Sequence, residues 1–166
     1  MAIGRFYAGI AALLWSPERG QYLLLKRSAE KDFGAGCWEC VTGRVDQGES
    51  FEEAVHREVR EELGIAVEIE FIIGTTHFYR GEPVPENELL GVVYYCTVAD
   101  PGAVTLSWEH SECRWVTPDE AAGLLTADDA STRWLLRTIE RAEGIRRRLP
   151  EGLRRYYRDE GFCLDT

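Results

Sequence analysis

Three glutamates, Glu58, Glu61 and Glu62, are spaced so that together they could bind a divalent cation. At about 100° per helical residue, their side chains share an arc of roughly 100°. Like charges three or four residues apart repel each other on a helix, and Arg57 and Arg60 can offset only part of that repulsion. A divalent cation would offset the rest, and ligands that are all oxygen favour Mg²⁺ or Mn²⁺. Because bound Mg²⁺ takes up phosphate oxygens, the cluster indicates chemistry at a phosphate group.

The carboxylates are predicted to lie on the inward half of their helix. Phe51, Ala54 and Val55 fall on the same half, whereas His56 and Arg60 fall on the outward half. A purely solvated acidic face would place the carboxylates opposite the apolar residues. That alternative is therefore disfavoured.

The helix that carries these glutamates has recognisable ends. Ser50 is predicted to cap its start, and Glu53 completes a capping-box pattern. Gly64 is predicted to end it after Leu63. Glu49 precedes the helix and Arg57 follows eight residues later, so we predict an ion pair of structural role that fixes the loop to the helix.

Residues 43–65 resemble the Nudix box, G-x5-E-x7-R-E-U-x-E-E-x-G-U, in which U is a bulky aliphatic residue. Every position is matched by GRVDQGESFEEAVHREVREELGI. The resemblance implies a Nudix-type α/β/α sandwich with a mixed β-sheet between helices. It also implies an enzyme, a Nudix hydrolase acting on phosphorus-containing acid anhydrides, which cleaves a diphosphate bond in a nucleoside-diphosphate-linked substrate.

The resemblance further implies a site and a cofactor, Mg²⁺ or Mn²⁺. A later acid completes the site in many members, and we predict Glu109 for that position with Glu112 in reserve. Either Glu58 or Glu109 would serve as general base for the attacking water. The implied metal ligands are the Gly43 carbonyl and the carboxylates of Glu58, Glu61, Glu62 and Glu109.

The substrate is less closely specified. Residues 38–43, the pair Glu109-His110 and Trp115 are similar to the dihydroneopterin-triphosphate (dATP) pyrophosphohydrolase branch, so the expected partner is a small-molecule nucleotide or pterin phosphate. An ADP-ribose substrate is disfavoured, because Phe78-Tyr79-Arg80 stands where such members often carry a proline. Tyr79 keeps a dinucleoside polyphosphate open.

Three residues are predicted to bind the substrate: Arg27 through a phosphate, and Trp38 and Tyr79 through a ring. Surface or core packing is the alternative for each. Trp108 and Phe78 are further aromatic candidates.

Composition limits the wider possibilities. The 166 residues are 45 % hydrophobic, with a net charge of −10, which suits a packed domain and disfavours nucleic-acid binding. No apolar run is long enough to span a membrane. The five cysteines form an odd number without a secretory signal, so we expect reduced thiols and a cytoplasmic protein. The pair Cys37 and Cys40 lacks further ligands for a zinc site.

The chain is predicted to divide into a Nudix hydrolase domain at residues 1–145 and an arginine-rich extension at 146–166 that packs on it. An RNA-end or cap pyrophosphohydrolase and a non-catalytic nucleotide-sensing domain remain as alternatives, and a homodimer is left open. The predicted strands are Phe6–Trp15, Tyr22–Leu25, Trp38–Thr42, Val67–Ile73 with an extension through Tyr79, Leu89–Val98 and Glu112–Val116, and the later helices are one from Pro118 and one at Ala130–Ala142.

Overall fold

The computed structural model describes residues 4–31 and 34–165 and consists of a mixed β-sheet between helices. A short 3₁₀ turn, Pro85–Asn87, precedes the sixth strand. The strands are β1 (Tyr7–Ser16), β2 (Gln21–Arg27), β3 (Trp38–Glu39), β4 (Val41–Arg44), β5 (Glu68–Tyr79), β6 (Glu88–Thr97) and β7 (His110–Val116). The helices are α1 (Phe51–Leu63), α2 (Pro118–Leu124), α3 (Ala130–Arg146) and α4 (Glu151–Glu160).

Strand β1 is the centre of the sheet. The main path runs β3-β2-β1-β6-β5, while β4 pairs with β1 and β7 pairs with β2. Only the β1–β6 pairing is parallel among the described strands. Strands β2 and β4 share one edge of β1, because β4 pairs with residues 9–12 and β2 with residues 14–16. In this arrangement Gly43 on β4 lies opposite Ile10 on β1.

Each face of the sheet has its own hydrophobic core, as alternation along β1 requires. Helix α1 covers one face and α3 the other, so the predicted α/β/α sandwich is confirmed. The α1 core contains Ile10, Ala12, Leu14, Val55, Val59 and Leu63. The α3 core contains Ala11, Leu13, Trp15, Leu135, Ile139 and Ala142.

Helix α1 has the ends that the sequence predicts. Ser50 Oγ accepts a hydrogen bond from the Glu53 amide, and the Glu53 carboxylate accepts one from the Ser50 amide. Gly64 ends the helix at φ 68°, in the left-handed region that favours glycine. Phe51 was predicted to face inward, but it is 38 % exposed. That prediction was wrong, because Phe51 is the first residue of α1 and its side chain is not covered there.

Other boundaries differ from the sequence predictions in detail. The expected strand Trp38–Thr42 is two strands separated at Cys40, which changes partner from β2 to β1. Helix α3 continues to Arg146, so the boundary predicted after residue 145 falls inside it. In the part of the chain that the structure describes, no helix is both long and apolar enough to cross a membrane.

Candidate active site

Glu58 lies against the backbone of Gly43 on the α1 side of the sheet. A Cβ placed on Gly43 would stand 2.0 Å from Glu58 Cδ, so any other residue there would displace the Glu58 carboxylate from its present position. Strand β4 supplies the glycine and α1 supplies the carboxylate. Burial raises the pKa of Glu58, although Arg57 opposes that shift. The Glu58 carboxylate therefore packs directly against the Gly43 backbone.

Glu62 is the most buried acid of the cluster, with 4 % of its surface exposed. Its Oε2 has no hydrogen-bond partner among the described residues. Burial, followed by the charges of Glu39, Glu58 and Glu109, raises the pKa of Glu62 to about 9, while Lys31 opposes the shift. A buried carboxylate oxygen without a partner is costly unless a proton or cation binds it.

A series of hydrogen-bonded, mostly buried polar side chains lies beside Glu62. His110 Nε2 lies 3.0 Å from Glu39 Oε1 and 3.9 Å from Glu62 Oε2. Arg27 donates from Nη1 to both oxygens of Glu39, at 3.0 Å each. Strands β2, β3 and β7 therefore support the acid that α1 presents.

The Arg57 guanidinium joins the loop before α1 to the carboxylates on it. Its Nε and Nη2 donate to the two Glu49 oxygens at 2.8 and 2.9 Å. Its Nη1 donates to Glu58 at 2.8 Å and to Glu61 at 3.3 Å, and Nη2 also donates to the Arg44 carbonyl at 2.8 Å. Hydrogen bonding to Arg57 is the main reason that the pKa of Glu49 is lowered.

Glu109 reaches the cluster from the loop before β7. Its carboxylate forms an ion pair with Lys31, whose Nζ stands 5.0 Å from the ring centroid of Trp108. Glu109 also raises the pKa of Glu62, so the two acids are close enough to interact. Glu112 pairs with Arg114 and Lys26 instead. Of the two candidates for the later acid, Glu109 is therefore the one that lies beside the box acids.

The box acids differ in exposure. The Glu61 side chain is 61 % exposed, whereas those of Glu58 and Glu62 are 15 % and 5 % exposed. Within residues 4–31 and 34–165, no three His, Cys, Asp or Glu side chains are arranged to hold a metal ion. In this arrangement Arg57 and Lys31 provide the counter-charges of Glu58 and Glu109.

The predicted substrate residues lie in different surroundings. Arg27 is bound to Glu39. Trp38 packs against the α3 core, with Lys26 and Arg114 over its ring. The Tyr79 ring contacts His77 at the end of β5. None of these contacts includes a box carboxylate.

The sequence did not point to Lys31 or Glu39, and it marked His110 only as part of the pair Glu109-His110. No pattern in the printed sequence marks Lys31. Glu39 carried a weak signal, since it is an acid within a short predicted strand. The five cysteines all lie in the described ranges, and none forms a disulfide.

The fold, the acids of α1 and the glycine beneath them are those of a Nudix hydrolase. The family model described as NUDIX domain matches residues 6–137. The protein belongs to this family and is a Nudix hydrolase.

Its relatives carry several activities in their names. Over 107 residues it is 34 % identical to the CTP pyrophosphohydrolase of Escherichia coli K12. That match covers 61 % of this chain and 70 % of the E. coli protein. Over 118 residues it is 33 % identical to the NAD-capped RNA hydrolase NudC of Stutzerimonas stutzeri A1501. That match covers 71 % of this chain but 40 % of NudC.

Solved structures agree on the fold. A MutT protein from Methanosarcina mazei Go1 superposes with a TM-score of 0.68 at 30 % identity, over 86 % of this chain and 99 % of that one. The E. coli dihydroneopterin triphosphate pyrophosphohydrolase gives 0.59 at 20 % identity, over 82 % and 95 %. At that identity the likeness shows the fold alone.

Proposed function

We propose that the protein is a Mg²⁺- or Mn²⁺-dependent pyrophosphohydrolase that cleaves a diphosphate bond in a nucleoside or pterin triphosphate. The observation that carries the proposal is the buried Oε2 of Glu62, which has no partner in the described chain and lies in the field of Glu58 and Glu109. A cation would satisfy this oxygen and neutralise its neighbours.

In ligand chemistry the residues suit a hard divalent cation, although no three of the described acids are placed to hold one in the present arrangement. Glu58, Glu61, Glu62, Glu109 and the Gly43 carbonyl offer oxygen ligands only, the kind that Mg²⁺ and Mn²⁺ prefer. Such an ion would lower the pKa of an attacking water and neutralise charge on the phosphate oxygens. The ion pairs Arg57–Glu58 and Lys31–Glu109 would have to loosen for both acids to become ligands.

The chain's own groups then have separate tasks. Glu58 and Glu109 are the two candidate bases that accept the proton of the attacking water. Arg27 hydrogen-bonds to Glu39, and Glu39 hydrogen-bonds to His110. These bonds fix the position of His110 next to Glu62. Arg57 keeps the loop from Gly43 to Glu49 against α1. Arg27, Trp38 and Tyr79 remain proposed substrate contacts.

A small-molecule substrate is supported by the way the tail arginines are used. Arg146 and Arg147 pair with Glu143, and Arg158 pairs with Glu70 and Glu151. These three guanidiniums are held in ion pairs within the protein, which disfavours their use in a nucleic-acid arm. The NudC relative keeps capped RNA as a second candidate, and a non-catalytic sensor is disfavoured because every box carboxylate is present.

A hydrolysis screen tests the proposal. Nucleoside triphosphates, dihydroneopterin triphosphate, ADP-ribose, dinucleoside polyphosphates and capped RNA are incubated with Mg²⁺ or Mn²⁺, and phosphate and pyrophosphate release is measured. We expect turnover of a triphosphate that Glu62→Gln loses by at least about a hundredfold. Glu140→Gln, an exposed acid on α3, is the matched control and should retain full activity. Metal-independent turnover, or equal activity in both variants, would refute the proposal.

A further inference from the structure

Among the described residues, Arg44 and Arg80 are two cations without an acidic ion-pair partner, and the net charge of the protein is −10. Across residues 4–31 and 34–165, no carboxylate forms an ion pair with either guanidinium. Arg80 is half-buried, whereas Arg44 is exposed. A half-buried guanidinium without a counter-charge is unusual, because desolvation penalises its charge.

Strand pairing puts the two arginines at the same end of the sheet, because Arg44 lies opposite Gly9 on β1, and Arg80 follows Tyr79, which lies opposite Glu88 at the start of β6. Burial lowers the pKa of Arg80 most, and the charges of Arg44 and Arg27 lower it further. Glu39 neutralises Arg27, but no acid in the described chain does the same for Arg44 and Arg80. No ion pair among the described residues therefore relieves their mutual repulsion.

Tyr7 connects the pair. The Arg44 guanidinium carbon stands 4.3 Å from the centroid of the Tyr7 ring, and Tyr7 lies opposite Leu89 on β6, one residue from the partner of Tyr79. Strand pairing accounts for the contact, because Arg44 lies opposite Gly9, two residues from Tyr7 on β1. Side chains two residues apart on a strand share a face. Arg80 follows the last residue of β5, at the same end of the sheet.

The position of Arg44 links this pair to the acid cluster. Gly43 faces α1 and Glu58, so the next residue, Arg44, faces the opposite side of the sheet. Among the described strands β4 pairs only with β1, so its other edge carries no strand at this point. A polyphosphate bound at this edge beside Gly43 would have the carboxylates on one side and Arg44 on the other.

We infer that Arg44 and Arg80 form a subsite for the free terminal phosphate of a polyphosphate substrate. The inference rests on the proposed function, because it assigns one end of the substrate that the acid cluster would cleave. A terminal phosphate carries between one and two negative charges near neutral pH, about −1.5 to −2, and so matches two guanidiniums. A phosphate esterified on both sides carries a single charge. Arg44 and Arg80 therefore select nucleoside triphosphates over substrates whose phosphates are blocked at both ends.

Binding without turnover tests the subsite. ATP and diadenosine triphosphate each contain three phosphates, but only ATP has a free terminal phosphate. Affinity for both is measured by calorimetry in EDTA at about pH 7.5, where the terminal phosphate is largely a dianion. Arg44→Gln and Arg80→Gln are each expected to weaken ATP binding about tenfold and diadenosine triphosphate binding less than about threefold.

Two kinds of control accompany these variants. Arg44→Lys and Arg80→Lys keep the charge and should retain ATP affinity within about threefold, which separates loss of charge from misfolding. Arg137→Gln removes an exposed arginine of α3 and should change neither affinity.

The outcomes separate this inference from the proposed function. Equal weakening of both ligands, no weakening, or no binding of ATP by the wild-type protein would overturn the subsite. Selective weakening without any hydrolysis in the screen would support the subsite and reject the pyrophosphohydrolase. Hydrolysis of a triphosphate, with ATP affinity unchanged in both glutamine variants, would support the pyrophosphohydrolase and reject the subsite.

Discussion

The Lys31 ammonium and the Glu109 carboxylate form an ion pair across 78 residues of sequence, at the edge of the acid cluster. The Lys31 ammonium also stands over the Trp108 ring, 5.0 Å from its centroid. Trp108 is 68 % exposed, so it contributes little to the core. Lys31 also lowers the pKa of Glu62 against the larger effect of burial. A side-chain cation therefore occupies the region in which we propose a metal ion.

Removing this ammonium should strengthen metal binding. In Lys31→Met, Glu109 no longer has to leave an ion pair before it binds a cation, and partly exposed pairs of this kind contribute up to about 1 kcal/mol. We expect Mn²⁺ affinity, followed by electron paramagnetic resonance of the free ion, to increase about two- to fivefold.

Lys26→Met is the matched control. Lys26 also pairs with a glutamate, Glu112, and stands over a tryptophan ring, Trp38, but it lies away from Glu109. Its removal should leave Mn²⁺ affinity unchanged. Weaker Mn²⁺ binding in Lys31→Met would mean that the lysine supports the site rather than competes for it.

Gly43 is expected to tolerate no side chain. In Gly43→Ala the new methyl group would stand 2.0 Å from Glu58 Cδ, so the carboxylate or strand β4 must move. We expect hydrolysis to fall by at least about a hundredfold, because displacing a reacting group by about 1 Å can cost that much. The free energy of unfolding should fall by about 1–3 kcal/mol.

Gly123→Ala provides the comparison for Gly43→Ala. Gly123 lies in α2 with open space around its α-carbon. Alanine should be neutral there or stabilise the helix by up to about 1 kcal/mol. Full activity in Gly43→Ala would show that Glu58 does not need its present position against β4.

The sequence predicted best those features that depend on local spacing. The capping box at Ser50 and the glycine end of α1 follow from neighbouring residues, and both are present. The apolar run Phe6–Trp15 likewise predicts a strand, and β1 is present there and mostly buried. The burial of Phe51 was predicted wrongly, because a helical wheel gives the direction of a side chain but not whether another element covers it.

The surroundings of the acids could not be predicted in the same way. Lys31 meets Glu109 across 78 residues, and His110 meets Glu39 across 71. These pairs depend on the order of strands β2, β3 and β7, which a single sequence does not specify. Cys40 likewise separates two strands because the chain changes partner there, from β2 to β1.

Glu143 should make stability depend on acid pH. Burial alone would raise the pKa of Glu143, but hydrogen bonds from Arg146 and Tyr22 outweigh it and lower the pKa below its usual 4.5. A lowered pKa contributes stability above the unfolded value, and this contribution disappears as the pH falls through the folded value. Glu143→Gln should therefore lose about 1–3 kcal/mol at neutral pH.

The difference between wild type and Glu143→Gln should shrink as the pH falls below 4.5, because the wild-type carboxyl then becomes neutral too. Urea unfolding at several pH values measures it. Glu140→Gln, on the exposed side of α3, should follow the wild-type curve throughout. A constant difference between Glu143→Gln and wild type at all pH values would contradict the assignment.

The C-terminal extension, residues 146–166, is predicted to unfold together with the rest of the protein. The Glu52 carboxylate on α1 accepts hydrogen bonds from the amides of Phe162 and Cys163, at 3.0 and 2.9 Å. The Phe162 ring stacks on Tyr157, with centroids 4.7 Å apart, and meets Tyr94 edge-on at 5.9 Å. These contacts join the extension to both α1 and β6.

Glu52→Ala and Phe162→Ala should each lower the global free energy of unfolding by about 1–3 kcal/mol, because one removes the acceptor of two amides and the other removes a partly buried ring. Chemical denaturation measures this, and amide exchange shows whether α4 opens with the core. Glu160→Ala, an exposed acid of α4, should change neither. If the extension instead opened alone, exchange would rise in α4 while global stability stayed constant. Residues 146–166 would then be an independent arm, and the proposed single folding unit would be wrong.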